Sequence, residues 1–197
     1  MNKLEGFYEL NKVGLPSVPW KKFANGITLD ENVLWTVRSA VLVGDDMNLP
    51  RKVGVSAGEA KNFAENLINS LSDNGMVLYY PFFVAEKSGM IEVSINKVII
   101  EAVRNDLWNL VTLNNRDVTV ISDYNSVTEL FGNEDFLESS EISELLKYSN
   151  RVKMKYKNLL IEGQSLFLEW SYSFCSDINK NPIGDRSLVF YEIRSVS

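Results

Sequence analysis

At 197 residues, 45% of them hydrophobic and 23% charged, the chain has the make-up of one globular domain, or of two small lobes sharing a core, and nothing in it suggests disorder. A net charge of −6 argues against a nucleic-acid binder that works through its overall field, and no apolar run reaches the ~18–20 residues that span a bilayer. The chain contains no histidine, which removes Ser–His and Cys–His pairs, imidazole bases and His-based metal sites, so any catalysis must use carboxylates, Lys, Arg, backbone N–H groups or carboxylate-bound Mg²⁺.

Residues 1–10 are mixed and charged, unlike a signal peptide. Leu4, Phe7, Tyr8 and Leu10 give Lys3 to Lys12 the pattern of a short amphipathic helix, with Gly14 as its C-cap and Pro16 and Pro19 forbidding continuation. Asn25-Gly26 marks a turn. A β-prone run, Leu34, Trp35 and Val37, then delivers Arg38 beside the small residues Ser39 and Ala40. The apolar run from Ala40 to Val43 ends at Gly44-Asp45-Asp46, and Pro50 closes the stretch. An arginine at a strand end among small residues is either a phosphate clamp or one half of a surface Arg–Asp pair; the pattern alone favours the surface pair.

Ser56 to Leu71 is predicted as a helix, with Ser56 and Glu59 forming a capping box and Phe63, Leu67 and Leu71 on one face. Asp73-Asn74-Gly75 ends it. Met76 to Val84 is apolar and β-rich, a buried strand in which Pro81 marks an edge, a bulge or a crossover. Ala85 to Gly89 is predicted as a tight turn. Met90 to Ile95 alternates, and Lys97 to Val103 is a second buried strand. Its Glu101 must be paired, bind a cation or point to solvent at the strand end.

A short helix or turn is expected at Asn105 to Thr112 and a strand at Asp117 to Ile121. The acidic segment Asn133 to Glu144 enters a helix near Ser140, its charges read as a solvated face. Lys147 to Lys157 continues that helix with Leu145, Leu146, Tyr148, Val152 and Tyr156 inward. Ser165 to Phe174 alternates, with Leu166, Leu168, Trp170 and Tyr172 on one face and Phe167, Glu169, Ser171 and Ser173 on the other. After a hairpin-like loop at Asp177 to Asp185, Leu188 to Arg194 also alternates, which places Leu188, Phe190, Glu192 and Arg194 together. In an antiparallel pair, Glu169 and Glu192 could face each other, a repulsion that a cation would relieve. Cys175 stands alone, so it forms no intrachain disulfide and reads as a small buried residue in a reducing, cytoplasmic setting. The order of elements gives an α+β (mixed α/β) chain.

These segments, in this order, resemble the N-terminal nucleotide-binding domain of the phosphoenolpyruvate synthase, pyruvate phosphate dikinase and rifampin phosphotransferase family. The similarity is carried by Lys3, Glu9-Leu10 and Gly14-Leu15-Pro16-Ser17-Val18-Pro19, then by Val37-Arg38-Ser39-Ala40 with Asp45-Asp46-Met47-Asn48-Leu49-Pro50. It continues through Tyr79 to Gly89, Ile100-Glu101-Ala102 with Leu110-Val111, Glu169-Trp170, and Tyr191-Glu192-Ile193-Arg194. The resemblance implies an ATP-grasp-like fold over residues 1–197, with two small lobes (about 1–75 and 76–197) of antiparallel sheet and packed helices.

It further implies ATP and Mg²⁺ as cofactors. Lys3 and Arg38 would contact phosphates, Glu101 would lie on the nucleotide side, Glu169 and Glu192 would hold the metal, and Arg194 would face the γ-phosphate as the catalytic residue. The family's Gly-Gly before the lysine and its long insert before the Arg-Ser strand are missing here. Its phosphate relay runs through a histidine on a swivelling domain, so this chain would need a separate phosphohistidine-bearing partner. Two alternatives stay open: a non-catalytic relative that senses nucleotide or binds protein, and an unrelated α+β binding protein. No nucleic-acid or membrane partner is expected.

Overall fold

The computed structural model describes residues 1, 3–41, 49–71, 75–111 and 115–196. Residues 42–48 and 72–74 therefore lie outside the described residues, and with them the Asp45-Asp46 motif and most of the expected helix stop. In chain order the elements are α1 (Lys3–Val13), β1 (Lys21–Lys22), β2 (Trp35–Val41), β3 (Arg51–Val55), α2 (Ala57–Leu71), β4 (Gly75–Pro81), β5 (Phe83–Val93), β6 (Val98–Arg104), α3 (Trp108–Val111), β7 (Val118–Ser122), β8 (Val127–Gly132), α4 (Ser139–Lys155), α5 (Lys157–Ile161), β9 (Ser165–Ser176) and β10 (Pro182–Val196).

The strands form two antiparallel sheets, a small one in the order β1-β4-β2-β3 and a large one in the order β10-β9-β5-β6-β7-β8. The chain passes from one to the other at Phe82, whose N–H donates to the Leu34 carbonyl (2.8 Å). Pro81 is thus a crossover residue and ends its strand, where its missing N–H costs no ladder bond.

Each sheet buries one face under helices. In the small sheet, Val37, Val77 and Tyr79 pack on Ala60, Ala64 and Leu67 of α2. In the large sheet, Ile91, Ile100, Val120, Leu168 and Trp170 pack with Leu145 and Val152 of α4 and Leu160 of α5. The opposite faces turn toward each other. At one end α1 is wedged between them, with Leu4 and Phe7 packed on Ala40, Leu78, Tyr80 and Val189. No helix among the described residues is long and apolar enough to cross a membrane.

Several expectations change. Ala85 to Gly89 is not a turn but lies inside β5, which carries only a register shift between Ala85 and Lys87. Gly89 is there for close approach: a Cβ at this position would sit 2.1 Å from the Glu101 carbonyl oxygen and 2.5 Å from the Trp170 ring. The acidic approach to α4 is not wholly solvated. Glu141 is buried, accepts from Lys87 Nζ (2.8 Å) and from Arg186, and takes the Glu138 backbone N–H (2.8 Å) as an N-terminal cap. Cys175 is exposed, near the end of β9 and opposite the exposed Ile183.

The strict alternation expected for Leu188 to Arg194 also fails. A register shift between Phe190 and Glu192 leaves Tyr191 as an extra residue. Phe190 therefore pairs with Trp170 on the core face, while Glu192 pairs with Glu169 on the opposite face. A one-residue bulge reverses the facing of everything beyond it.

Candidate functional site

The two sheets meet around a cleft of about 460 Å³, within the range of small-molecule sites. Its walls are largely aromatic and apolar: Val53 from β3, Tyr80 from β4, Phe82, Phe83 from β5, Leu107 and Trp108. Thr36 and Arg38 of β2, Arg51, Ser88, Asp106, Glu169 and Tyr191 are polar residues around it. The Tyr191 hydroxyl lies 2.7 Å from Ser171 Oγ, and burial pushes its phenol up to about 12.

The start of α1 and the end of β10 come together beside Arg38. The Met1 amino group donates to Ser195 Oγ (2.9 Å), which ties the start of α1 to the end of β10. Arg38, at the middle of β2, donates from Nη2 to Glu192 Oε2 at 3.2 Å, with its guanidinium 5.5 Å from the centre of the Phe7 ring. Burial works against its charge, but Tyr80, Glu192 and Glu169 outweigh that and hold its pKa above the ordinary arginine value. The surface Arg–Asp pair favoured by the pattern alone is therefore not what forms. Arg38 is largely buried and its carboxylate partner comes from 154 residues away in the chain.

Glu169 stands next to Glu192 across the β9–β10 ladder. Burial raises its pKa, as does the Glu192 charge; Arg38, Arg194 and Lys3 pull the other way without cancelling the rise. Lys3, Arg38, Glu169, Glu192 and Arg194 thus share one electrostatic neighbourhood, of which Arg38 and Glu169 line the cleft itself.

Glu101 lies elsewhere. It belongs to the same cross-strand row, Glu192–Glu169–Met90–Glu101, and so to the same sheet face. Two strand spacings, ~10 Å, separate it from Glu169, and it is held by Arg116 Nε at 2.8 Å. Of the alternatives open at this position, pairing is the one realised.

The two facing carboxylates can be tested against Mg²⁺. Among the described residues no group of three or more His, Cys, Asp or Glu side chains could hold a metal ion by itself. Mg²⁺ does not require such a cage: it is commonly held by one or two carboxylates, with phosphate oxygens and water completing the shell. Two adjacent carboxylates, one with its charge disfavoured by burial, suit a cation that arrives with phosphates.

The sequence reading missed Arg51, Asp106, Tyr191 and the aromatic walls. Arg51 opens a strand that pairs back on β2, and its signal was the alternation of Arg51, Val53 and Val55 after Pro50. For Asp106 and Trp108 the sequence carried no signal beyond a helix start, the Trp108 backbone N–H donating to Asp106 Oδ1 at 2.8 Å.

No family model matches the chain, and no curated protein sequence matches it. Among solved structures it is similar to a chain of the dinucleotide forming acetyl-coenzyme A synthetase 1 of Ca. Korarchaeum cryptofilum, determined in complex with coenzyme A, Ca-AMPCP and HgCl+. The TM-score is 0.59 at 10% identity, over 100% of this chain and 92% of that one. At such low identity the likeness is one of fold. The fold is mixed α+β and ATP-grasp-like, two antiparallel sheets with packed helices on either side of a cleft.

Proposed function

We propose that the cleft binds ATP with Mg²⁺, the base between the aromatic walls and the phosphates at the end where Arg38, Glu169 and Glu192 converge. One observation carries this reading: in an ATP-grasp-like fold, residues from both ends of the chain bring buried cationic and carboxylate side chains together beside an aromatic cleft. Arginine and lysine would neutralise non-bridging phosphate oxygens, and Glu169 and Glu192 would hold the metal. Bound Mg²⁺ would supply charge neutralisation at the phosphates. Lys3 would add positive charge beside these contacts. Arg194 would face the terminal phosphate, and Glu101 would act only at a distance.

In this reading the chain is the nucleotide-binding part of a phosphotransfer system related to the phosphoenolpyruvate synthase family, and another protein supplies the phosphohistidine. One observation favours a second reading, a nucleotide sensor without turnover: the Arg38 guanidinium is already engaged by Glu192. Calorimetric titration with ATP, with and without Mg²⁺, tests the binding. A saturable Mg²⁺-dependent isotherm, whose metal-dependent part disappears in Glu169→Ala, is expected. No heat with the natural chain, or an unchanged isotherm in Glu169→Ala, would refute the binding or the metal assignment respectively. Loss of the terminal phosphate to a histidine-bearing partner would separate phosphotransfer from sensing.

A further inference from the structure

Arg51 stands directly opposite Arg38 in the β2–β3 ladder. Both side chains therefore leave the sheet on one face, and both line the cleft. Like charges opposed across a ladder repel each other. Glu192 compensates Arg38 at 3.2 Å, whereas Arg51 is exposed and forms no ion pair among the described residues. Its neighbour Lys52 is used differently: it pairs with Glu59 of α2 and lies 5.6 Å from the centre of the Phe63 ring. Of two consecutive cations, one is spent on packing and the other is presented to the cleft.

We propose that Arg51 is a second phosphate-binding residue and that, with Arg38, it forms a two-guanidinium clamp selecting nucleoside polyphosphates over monophosphates. The inference rests on the nucleotide reading above. Two forks on adjacent strands, with Cα atoms ~5 Å apart, can grip neighbouring phosphates of one chain, each through paired N–H donors. The charge around the cleft end fits such a ligand. Lys3, Arg38, Arg51 and Arg194 outnumber Glu169, Glu192 and the cleft-lining Asp106, and an excess of positive charge suits a polyanion.

The test is calorimetric titration of the full chain with Mg·ATP, Mg·ADP and AMP, comparing the natural protein with Arg51→Gln, Arg51→Lys and Lys52→Gln. Arg51→Gln is expected to lose roughly tenfold or more in Mg·ATP affinity, as for a lost hydrogen bond to a charged group, and to leave AMP affinity unchanged. Arg51→Lys keeps the charge without the fork and is expected to lose less. Lys52→Gln is expected to change nothing. Arg51→Gln removes a repulsion at an exposed site, so its Tm is expected not to fall. Natural binding of Mg·ATP in Arg51→Gln, or an equal loss for AMP, would overturn the clamp and leave the nucleotide reading in place. An equal loss in Lys52→Gln would also overturn it, because it would show a diffuse field. A natural chain that binds none of the three ligands would overturn both.

Discussion

Glu169 couples function to stability. Its pKa is raised in the folded protein, by burial first and by Glu192 second. An acid with a raised folded pKa contributes stability that is complete below its unfolded pKa and is lost as pH rises through the folded pKa. At neutral pH the buried charge therefore costs stability in the ligand-free protein. Glu169→Gln, which resembles the protonated form, is expected to raise the Tm of the ligand-free chain at neutral pH and to weaken Mg²⁺-dependent nucleotide binding. Differential scanning calorimetry with and without Mg·ATP checks both, and a lower Tm without ligand would show that Glu169 is held by structural pairing instead. Glu141 behaves in the opposite way. Burial raises its pKa, but hydrogen bonds from Lys87 and Arg186 outweigh this and hold it low. Its contribution is present above its unfolded pKa and is lost as pH falls through the lowered one. Glu141→Ala would leave the largely buried Lys87 without its carboxylate partner and is expected to cost about 3 kcal/mol, measured by urea unfolding near neutral pH, with the difference from the natural chain shrinking in acid.

Among the secondary-structure elements, periodicity revealed what was local. The apolar faces of α1, α2 and α4 and the alternation of β9 could be read from spacing, whereas the facing of Glu169 toward Glu192 was conditional on a pairing register that spacing does not fix. Non-local causes could not be read. The bulge at Tyr191 is set by how β10 fits β9, so the face of Glu192 followed from pairing and not from its own neighbours. Gly89 looked like a turn residue because glycine serves turns and close packing alike, and only the Glu101 carbonyl and Trp170 ring beside it separate the two. Glu141 looked solvated because its cations come from β5 and β10. Arg38 was recognised as a possible phosphate ligand, but its opposition to Arg51 needed the β2–β3 register. Gly89→Ala tests the packing explanation: the added Cβ would press on the Glu101 carbonyl and the Trp170 ring. It is expected to destabilise the fold by roughly 1–3 kcal/mol or more, read from the denaturant midpoint. A neutral substitution would mean that the two strands can separate there at little cost.

For the molecule as a whole, the feature everything else depends on is the closure of the chain on itself, α1 and β10 joining at the edge of a cleft between two sheets. Lys3 and Arg194 are distant in sequence, yet both act on Glu169, and the Arg38–Glu192 pair links the small sheet to the large one. A crystal structure of the chain grown with Mg²⁺ and a non-hydrolysable ATP analogue tests this most directly. The expected density is a base among Tyr80, Phe82 and Trp108, phosphates within hydrogen-bond reach of Arg38 and Arg51, and a metal ion between Glu169 and Glu192. A nucleotide bound elsewhere, or a cleft left without ligand at saturating analogue with the Arg38–Glu192 pair unchanged, would contradict it.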